Sequence, residues 1–253
     1  MHGAPGSHKD FKYMVPYFVE KNIRVIGINF PGFGYSSMHD QLHYNNDERE
    51  QFIRRILEAL NLQIDHRLII VGHSRGCVDA IRLAAKLKDT VLGVVPINFV
   101  GNRPHRGVRP FFVTQTAAWL WNYNRILNFR VTGEVAAISV QTMNNIDFEG
   151  QQRFVEELNT SSVFMLASHA GKDPLMEPEV CREFTDALNN NQEFEDNENE
   201  IIQFVSREFA TGRRRISLNF PDDGHFLQKH RAEVIARCTN EIFRLKKTSH
   251  SKI

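Results

Sequence analysis

Gly72-His73-Ser74-Arg75-Gly76 is the stretch on which the reading of the whole chain turns. An apolar run, Leu68-Ile69-Ile70-Val71, precedes it. Val78, Ile81, Leu83, Ala84, Ala85 and Leu87 follow at helical spacing. The pattern is strand, sharp turn, helix. A glycine two residues to either side of Ser74 lets the backbone turn tightly with no Cβ in the way. Such a turn holds Ser74 strained at the end of a sheet, its hydroxyl exposed and a helix N-terminus beneath it. That makes Ser74 a candidate nucleophile. The plainer alternative is a tight turn in which the serine only caps the helix.

Outward from this stretch, elements alternate. Phe11, Met14, Val15, Phe18 and Val19 recur at helical spacing, with Pro16 placed to kink or shorten the helix. Residues 23–30, Ile-Arg-Val-Ile-Gly-Ile-Asn-Phe, read as a buried strand, and 31–37 as a loop. Phe52, Ile53, Ile56, Leu57 and Leu60 mark an amphipathic helix over 47–60. Strands follow at 91–97, 163–167 and 216–220, and helices at 178–188, 201–209 and 231–245. Residues 189–200 are polar and acidic and read as a surface excursion. Strands alternating with helices predict an α/β fold, a mainly parallel sheet with helices on both faces.

Between 99 and 160 the alternation stops. An aromatic run there includes Phe111, Phe112, Trp119, Trp121 and Tyr123, and an amphipathic segment spans 148–158. These predict a helical cap over 99–160, inserted between core segments 1–98 and 161–253. Trp119 and Trp121, with Phe33 of the 31–37 loop, are candidates to line an apolar pocket. The aromatics serve equally well as glue between cap and core.

Bulk properties narrow the function classes. The 253 residues suffice for one large domain with an insertion. Lys+Arg 31 against Asp+Glu 30 leaves no global field to attract nucleic acid or a membrane surface. No apolar run has the length of a transmembrane segment. Cys77, Cys181 and Cys238 are scattered, without metal-site spacing, and read as buried thiols of a reducing, cytoplasmic compartment. No metal or cofactor motif is present, and oligomeric state is not legible.

A serine at neutral pH needs a base to take its proton, and the base needs an orienting carboxylate. On a sheet of this kind the chain order is Ser, Asp or Glu, His. Ser74, Asp173 and His225 stand in that order, the latter two in loops after strands. His73 adjoins Ser74 and is expected to point elsewhere. His169 and His230 are weaker candidates for the base. Asp222 and Asp223 are expected to shape the His225 loop, and Asp79 to face away. Oxyanion donors are expected from the N–H of Arg75, the residue after the serine, and of Ala4 in the opening loop. The Arg75 side chain reads either as a group at the site mouth for an acidic substrate or as half of a structural ion pair.

His2-Gly3-Ala4-Pro5-Gly6-Ser7, Pro31-Gly32-Phe33-Gly34-Tyr35-Ser36, Gly72 to Gly76, Gly171-Lys172-Asp173 and Gly224-His225-Phe226 together resemble the α/β-hydrolase superfamily in its serine-nucleophile, capped form. They look like its oxyanion loop, the loop after its fourth strand, its nucleophile elbow, its acid loop and its base loop. The resemblance covers nearly the whole chain. It implies hydrolysis of an ester, thioester or related small acyl substrate through an acyl-enzyme. The opening loop is also similar to epoxide hydrolases, which have an aspartate where this chain has Ser74, and to proline-releasing aminopeptidases. The latter reading requires an acidic group in the cap, for which Glu134, Asp147 and Glu149 are candidates. A third reading is a non-catalytic scaffold.

One departure bears on stability. The resemblance implies a strand before His2-Gly3, lying between segments 23–30 and 68–71, and two earlier strands as well. A central strand of about five residues makes about ten ladder bonds, and at roughly 0.5–1.5 kcal/mol each its loss approaches a domain's net stability. The expectation is a shortened isoform, a fragment or an incomplete gene model, which alone is unstable or pairs those two segments directly.

Overall fold

The computed structural model describes residues 1–62, 67–108, 133–195 and 198–250. Five parallel strands form one sheet in the order β1-β2-β3-β5-β4: β1 Ile69–His73, β2 Gly93–Ile97, β3 Phe164–Ala170, β4 Gln192–Glu195 and β5 Arg215–Phe220. The helices are α1 Val15–Val19, α2 Asn46–Ala59, α3 Arg75–Lys86, α4 Gly133–Asn144, α5 Phe148–Asn159, α6 Pro178–Asp186, α7 Glu198–Ala210, α8 Leu227–His230 and α9 Ala232–His250.

Both faces of the sheet are covered, so β2 and β3 are buried along their whole length. On one face α3 fills the centre with Cys77, Ala80, Ile81 and Ala84, joined by Ile53 of α2 and by Val155 and Leu158 of α5. On the other, α7 and α9 pack together over β3 and β5, with Val205, Phe209, Ile235 and Ile242 inside. Local chemistry sets the helix starts. Asn45 and Glu48 form a reciprocal capping box at the head of α2. Pro16 and Pro178 stand in the first turns of α1 and α6, where a missing N–H costs nothing. Pro16 thus starts a helix rather than kinking one.

Two expectations are corrected. Residues 189–200 are not only a surface excursion: Gln192–Glu195 adds a fifth strand. Its mostly exposed polar residues suit a sheet edge, where charge discourages further pairing. Residues 23–30 are not a strand, and they do not pair with β1. Val25 and Ile26 are exposed. A cavity of about 1240 Å³ separates this segment from β1. An apolar run can form a buried strand only beside a partner ladder, and among the described residues no neighbouring strand supplies one. Among the described residues no helix is long and apolar enough to cross a membrane.

Candidate active site

Ser74 sits between β1 and α3 at φ 52° and ψ −125°, a conformation that an L-residue holds only when its surroundings impose it. The two glycines explain how. A Cβ on Gly72 would lie 2.6 Å from the Gly76 carbonyl oxygen, and one on Gly76 would lie within 2.7 Å of the His2 carbonyl oxygen. The elbow therefore closes only with glycine at both positions. The Ser74 side chain makes no capping bond to α3, so the cap alternative is not realised.

Asp173 follows β3 and His225 follows β5, and the two meet. His225 Nδ1 lies 2.7 Å from Asp173 Oδ2, both side chains buried. Asp173 Oδ2 also accepts from Asn98 Nδ2 at 2.9 Å, and Oδ1 accepts from the backbone N–H groups of Leu175 and Met176 at 2.8 and 3.2 Å. Burial pushes this carboxyl's pKa up, but the hydrogen bonds, His225 foremost, outweigh it and hold the pKa below the usual range. An ionised Asp173 fixes the His225 proton on Nδ1 and leaves Nε2 as an acceptor. Lys172 N donates to the Asp223 carbonyl, and Asp222 pairs with Lys172. Both acids shape the loop, as expected.

His73 does not point elsewhere. Its ring lies 4.9 Å from that of His225, and its Nε2 is 2.8 Å from the His225 carbonyl oxygen. The residue beside Ser74 thus holds the backbone that carries His225. Ser74 Oγ itself makes no hydrogen bond among the described residues.

The opening loop lies against the elbow. A Cβ on Gly3 would be 3.1 Å from Ser74 Cβ. His2 Nε2 accepts from the Phe30 N–H at 3.1 Å, which leaves Nδ1 to donate to the Gly3 carbonyl at 2.7 Å. Phe33 is buried and packs edge-on against His2. The N–H groups of Ala4 and Arg75 have no acceptor among the described residues, the latter being an unpaired donor of the first turn of α3.

Burial pulls His2 and His73 down to a pKa of about 3 each. Folded, both stay neutral at pH 5; unfolded, each takes up a proton below about pH 6.5. The unfolded state therefore binds more protons across that window. Stability present above pH 6.5 is lost as pH falls, by about 1.4 kcal/mol per pH unit for each histidine. Urea unfolding at pH 7 and pH 5 is expected to differ by roughly 4 kcal/mol, and by about half that in His73→Asn. Equal unfolding free energies at the two pH values would contradict this account.

The Arg75 side chain does not reach the site mouth; it is half of a structural ion pair with Asp79. Both are fully buried. Arg75 Nη1 lies 3.1 Å from Asp79 Oδ1, and Asp79 Oδ2 takes Arg49 Nη2 at 2.7 Å and Nε at 3.0 Å. Arg75 Nε donates to the Thr142 carbonyl of α4 at 3.0 Å, and Nη2 to Asn46 Oδ1 of α2. Burial lowers the Arg75 pKa to about 10, which leaves it charged at neutral pH. This network ties the elbow helix to α2 and α4.

Other candidates are placed as follows. Trp119 and Trp121 lie outside the described residues. His169 Nε2 is bound to Glu193 of β4 at 3.2 Å, away from Ser74, and His230 is exposed. Asp147 caps α5 through the Gly150 N–H at 2.8 Å, and Glu134 and Glu149 are exposed. The three cysteines are buried and free.

Residues 1–244 match a family model described as alpha/beta hydrolase of unknown function. An uncharacterized protein of Caenorhabditis elegans is 30% identical over 285 aligned positions, covering 99% of this chain and 78% of that protein. A serine hydrolase-like protein of Dictyostelium discoideum is 28% identical over 104 residues, 40% of this chain and 28% of the other. A putative ancestral haloalkane dehalogenase superposes with TM-score 0.67 at 16% identity, over 97% of this chain and 90% of the other. The meta-cleavage product hydrolase of Pseudomonas fluorescens gives TM-score 0.60 at 18% identity, over 97% and 89%. At such identities the solved structures speak to the fold alone.

Proposed function

The chain belongs to the alpha/beta-hydrolase family of unknown function that its residues 1–244 match, and on that footing we propose that it is a serine hydrolase of ester, thioester or related acyl substrates. The observation that carries the reading is the buried 2.7 Å pair of His225 and Asp173, on a loop held by the residue next to a serine at positive φ. Ser74 Oγ attacks the acyl carbon as His225 Nε2 takes its proton. The N–H groups of Ala4 and Arg75 hold the oxygen on which charge develops. His225 then returns the proton to the leaving group, and water repeats the cycle on the acyl-enzyme. No hydrogen bond joins Ser74 Oγ and His225 among the described residues, and bonds of this kind commonly tighten only with substrate bound.

In this reading residues 99–160 form the cap. Helix α4 is held to the elbow through Thr142 and lies over Gly32 through Ile138. The Asp147 side chain is engaged as a helix cap, which weakens its candidacy as the amine-binding acid of a proline-releasing peptidase.

Reaction of the purified chain with a fluorophosphonate probe tests the proposal. Labelling that Ser74→Ala abolishes is expected. A folded sample that resists the probe would favour the scaffold reading.

A further inference from the structure

We infer that His105 is a positioning residue of the acyl transfer, an assignment that rests on the hydrolase reading: it grips the peptide between Leu175 and Met176 and so aims the Asp173 carboxylate at His225. His105 lies in the segment that leaves β2, and it is fully buried. Its Nδ1 is 3.0 Å from the Leu175 carbonyl oxygen, and the Gly107 N–H reaches the same oxygen at 3.0 Å. A carbonyl oxygen only accepts, so Nδ1 carries the ring proton and Nε2 is left a bare acceptor. Burial lowers the pKa of the ring, which therefore holds that one proton at neutral pH.

The carbonyl that His105 holds belongs to a rigid unit. The Leu175 C=O and the Met176 N–H are two ends of one planar peptide. The far end donates to Asp173 Oδ1 at 3.2 Å, beside the Leu175 N–H at 2.8 Å. Fixing the carbonyl end fixes the direction of the donor end. It also polarises the peptide, which strengthens the bond that the N–H makes. With Oδ1 held, Oδ2 keeps its place 2.7 Å from His225 Nδ1. A line thus runs from His105 through this peptide and Asp173 to the base.

Packing alone does not call for a histidine here. His105 Nε2 is buried with no hydrogen-bond partner. A buried acceptor left unsatisfied is a cost that leucine, of similar bulk, does not carry. What the histidine adds is the Nδ1–H bond. Its neighbours are fastened separately. The Arg106 N–H donates to Glu177 Oε2 at 2.7 Å, and Arg103 Nε donates to Glu183 Oε2 at 2.6 Å. Neither contact involves the imidazole, so they remain available when it is replaced.

Proton NMR and labelling of His105→Leu and His105→Asn test the inference. The asparagine side chain offers an N–H where Nδ1–H stood, whereas leucine has no donor. The low-field resonance of His225 Nδ1–H, identified by its loss in His225→Asn, is expected to move upfield in His105→Leu. It is expected to return toward its original position in His105→Asn. Fluorophosphonate labelling of Ser74 is expected to slow about tenfold in His105→Leu, and His105→Asn to recover most of that loss. The unaltered chain supplies a reading that no folding defect can touch: the ring nitrogen shifts of His105 are expected to report the Nδ1–H tautomer. An Nε2–H tautomer overturns the inference. So does an unmoved His225 resonance in a folded His105→Leu protein, or a His105→Asn protein that labels no faster than His105→Leu. An unaltered chain that never labels counts against the hydrolase reading instead, and the resonance shift still decides the positioning.

Discussion

Asp173→Asn is expected to lower the rate at which Ser74 is acylated by about 10⁴-fold while the chain stays folded. The site dictates which way the new amide sits. Two backbone N–H groups, of Leu175 and Met176, already converge on Asp173 Oδ1. They keep the amide oxygen, so the NH₂ group takes the place of Oδ2, against His225 Nδ1 and Asn98 Nδ2. A donor facing Nδ1 drives the imidazole proton to Nε2. His225 can then no longer accept from Ser74. The shape is preserved and the proton is on the wrong nitrogen. Pseudo-first-order fluorophosphonate labelling and hydrolysis of a p-nitrophenyl ester measure the loss, with the circular dichroism melt as the control for folding. Asn98→Ala removes one of several bonds to Asp173 and leaves the His225 pair in place, so its loss is far smaller. An Asp173→Asn protein within tenfold of the unaltered rate would remove Asp173 from the mechanism.

What the sequence discloses is local signal and order. Ser74, Asp173 and His225 are legible because each sits in a turn after an apolar run, and a turn's residue types are fixed by its own backbone. The parallel sheet is legible for the same reason. Residues 23–30 show the limit. Their apolar run states a capacity to be a strand, whereas a strand exists only where a neighbour completes its ladder. β4 is the converse: Gln192–Glu195 carries one apolar residue, Phe194, too little for an apolar run, and pairs because β5 offers an edge. The partners within the site were the least legible. His73 bonds a carbonyl 152 positions away, and Asn98, which the alternation puts at the right sheet edge, reaches Asp173 75 positions on. Spacing along a chain carries no trace of such pairs. Arg75 and Asp79, four apart on one helix, are visible as a pair, but nothing in their spacing says that the face they share is buried.

That buried pair supports the larger of the stability predictions. Asp79→Leu is expected to destabilise the chain by about 3–5 kcal/mol at pH 7, which for a domain of this size lowers Tm by roughly 10 °C or more. Burial pushes the Asp79 carboxyl's pKa up, yet Arg49 and Arg75 more than offset this and hold it below the usual range. Asp79 is therefore ionised down to pH values below about 4, and its contribution is lost only as pH falls below that range. Removing it leaves two guanidinium groups, 3% and 0% exposed, with no counter-charge. Arg49→Met is the milder change, because Asp79 keeps Arg75. The exposed pair of Lys172 and Asp222 sets the scale at the other extreme. Both side chains are more than half in water, where an ion pair is screened, and Asp222→Asn is expected to leave the unfolding midpoint essentially unchanged. Urea unfolding of the three variants separates the cases. An Asp79→Leu loss as small as that of Asp222→Asn would mean that the buried charges relax into water, and the elbow helix would then not be anchored to α2 and α4 through them.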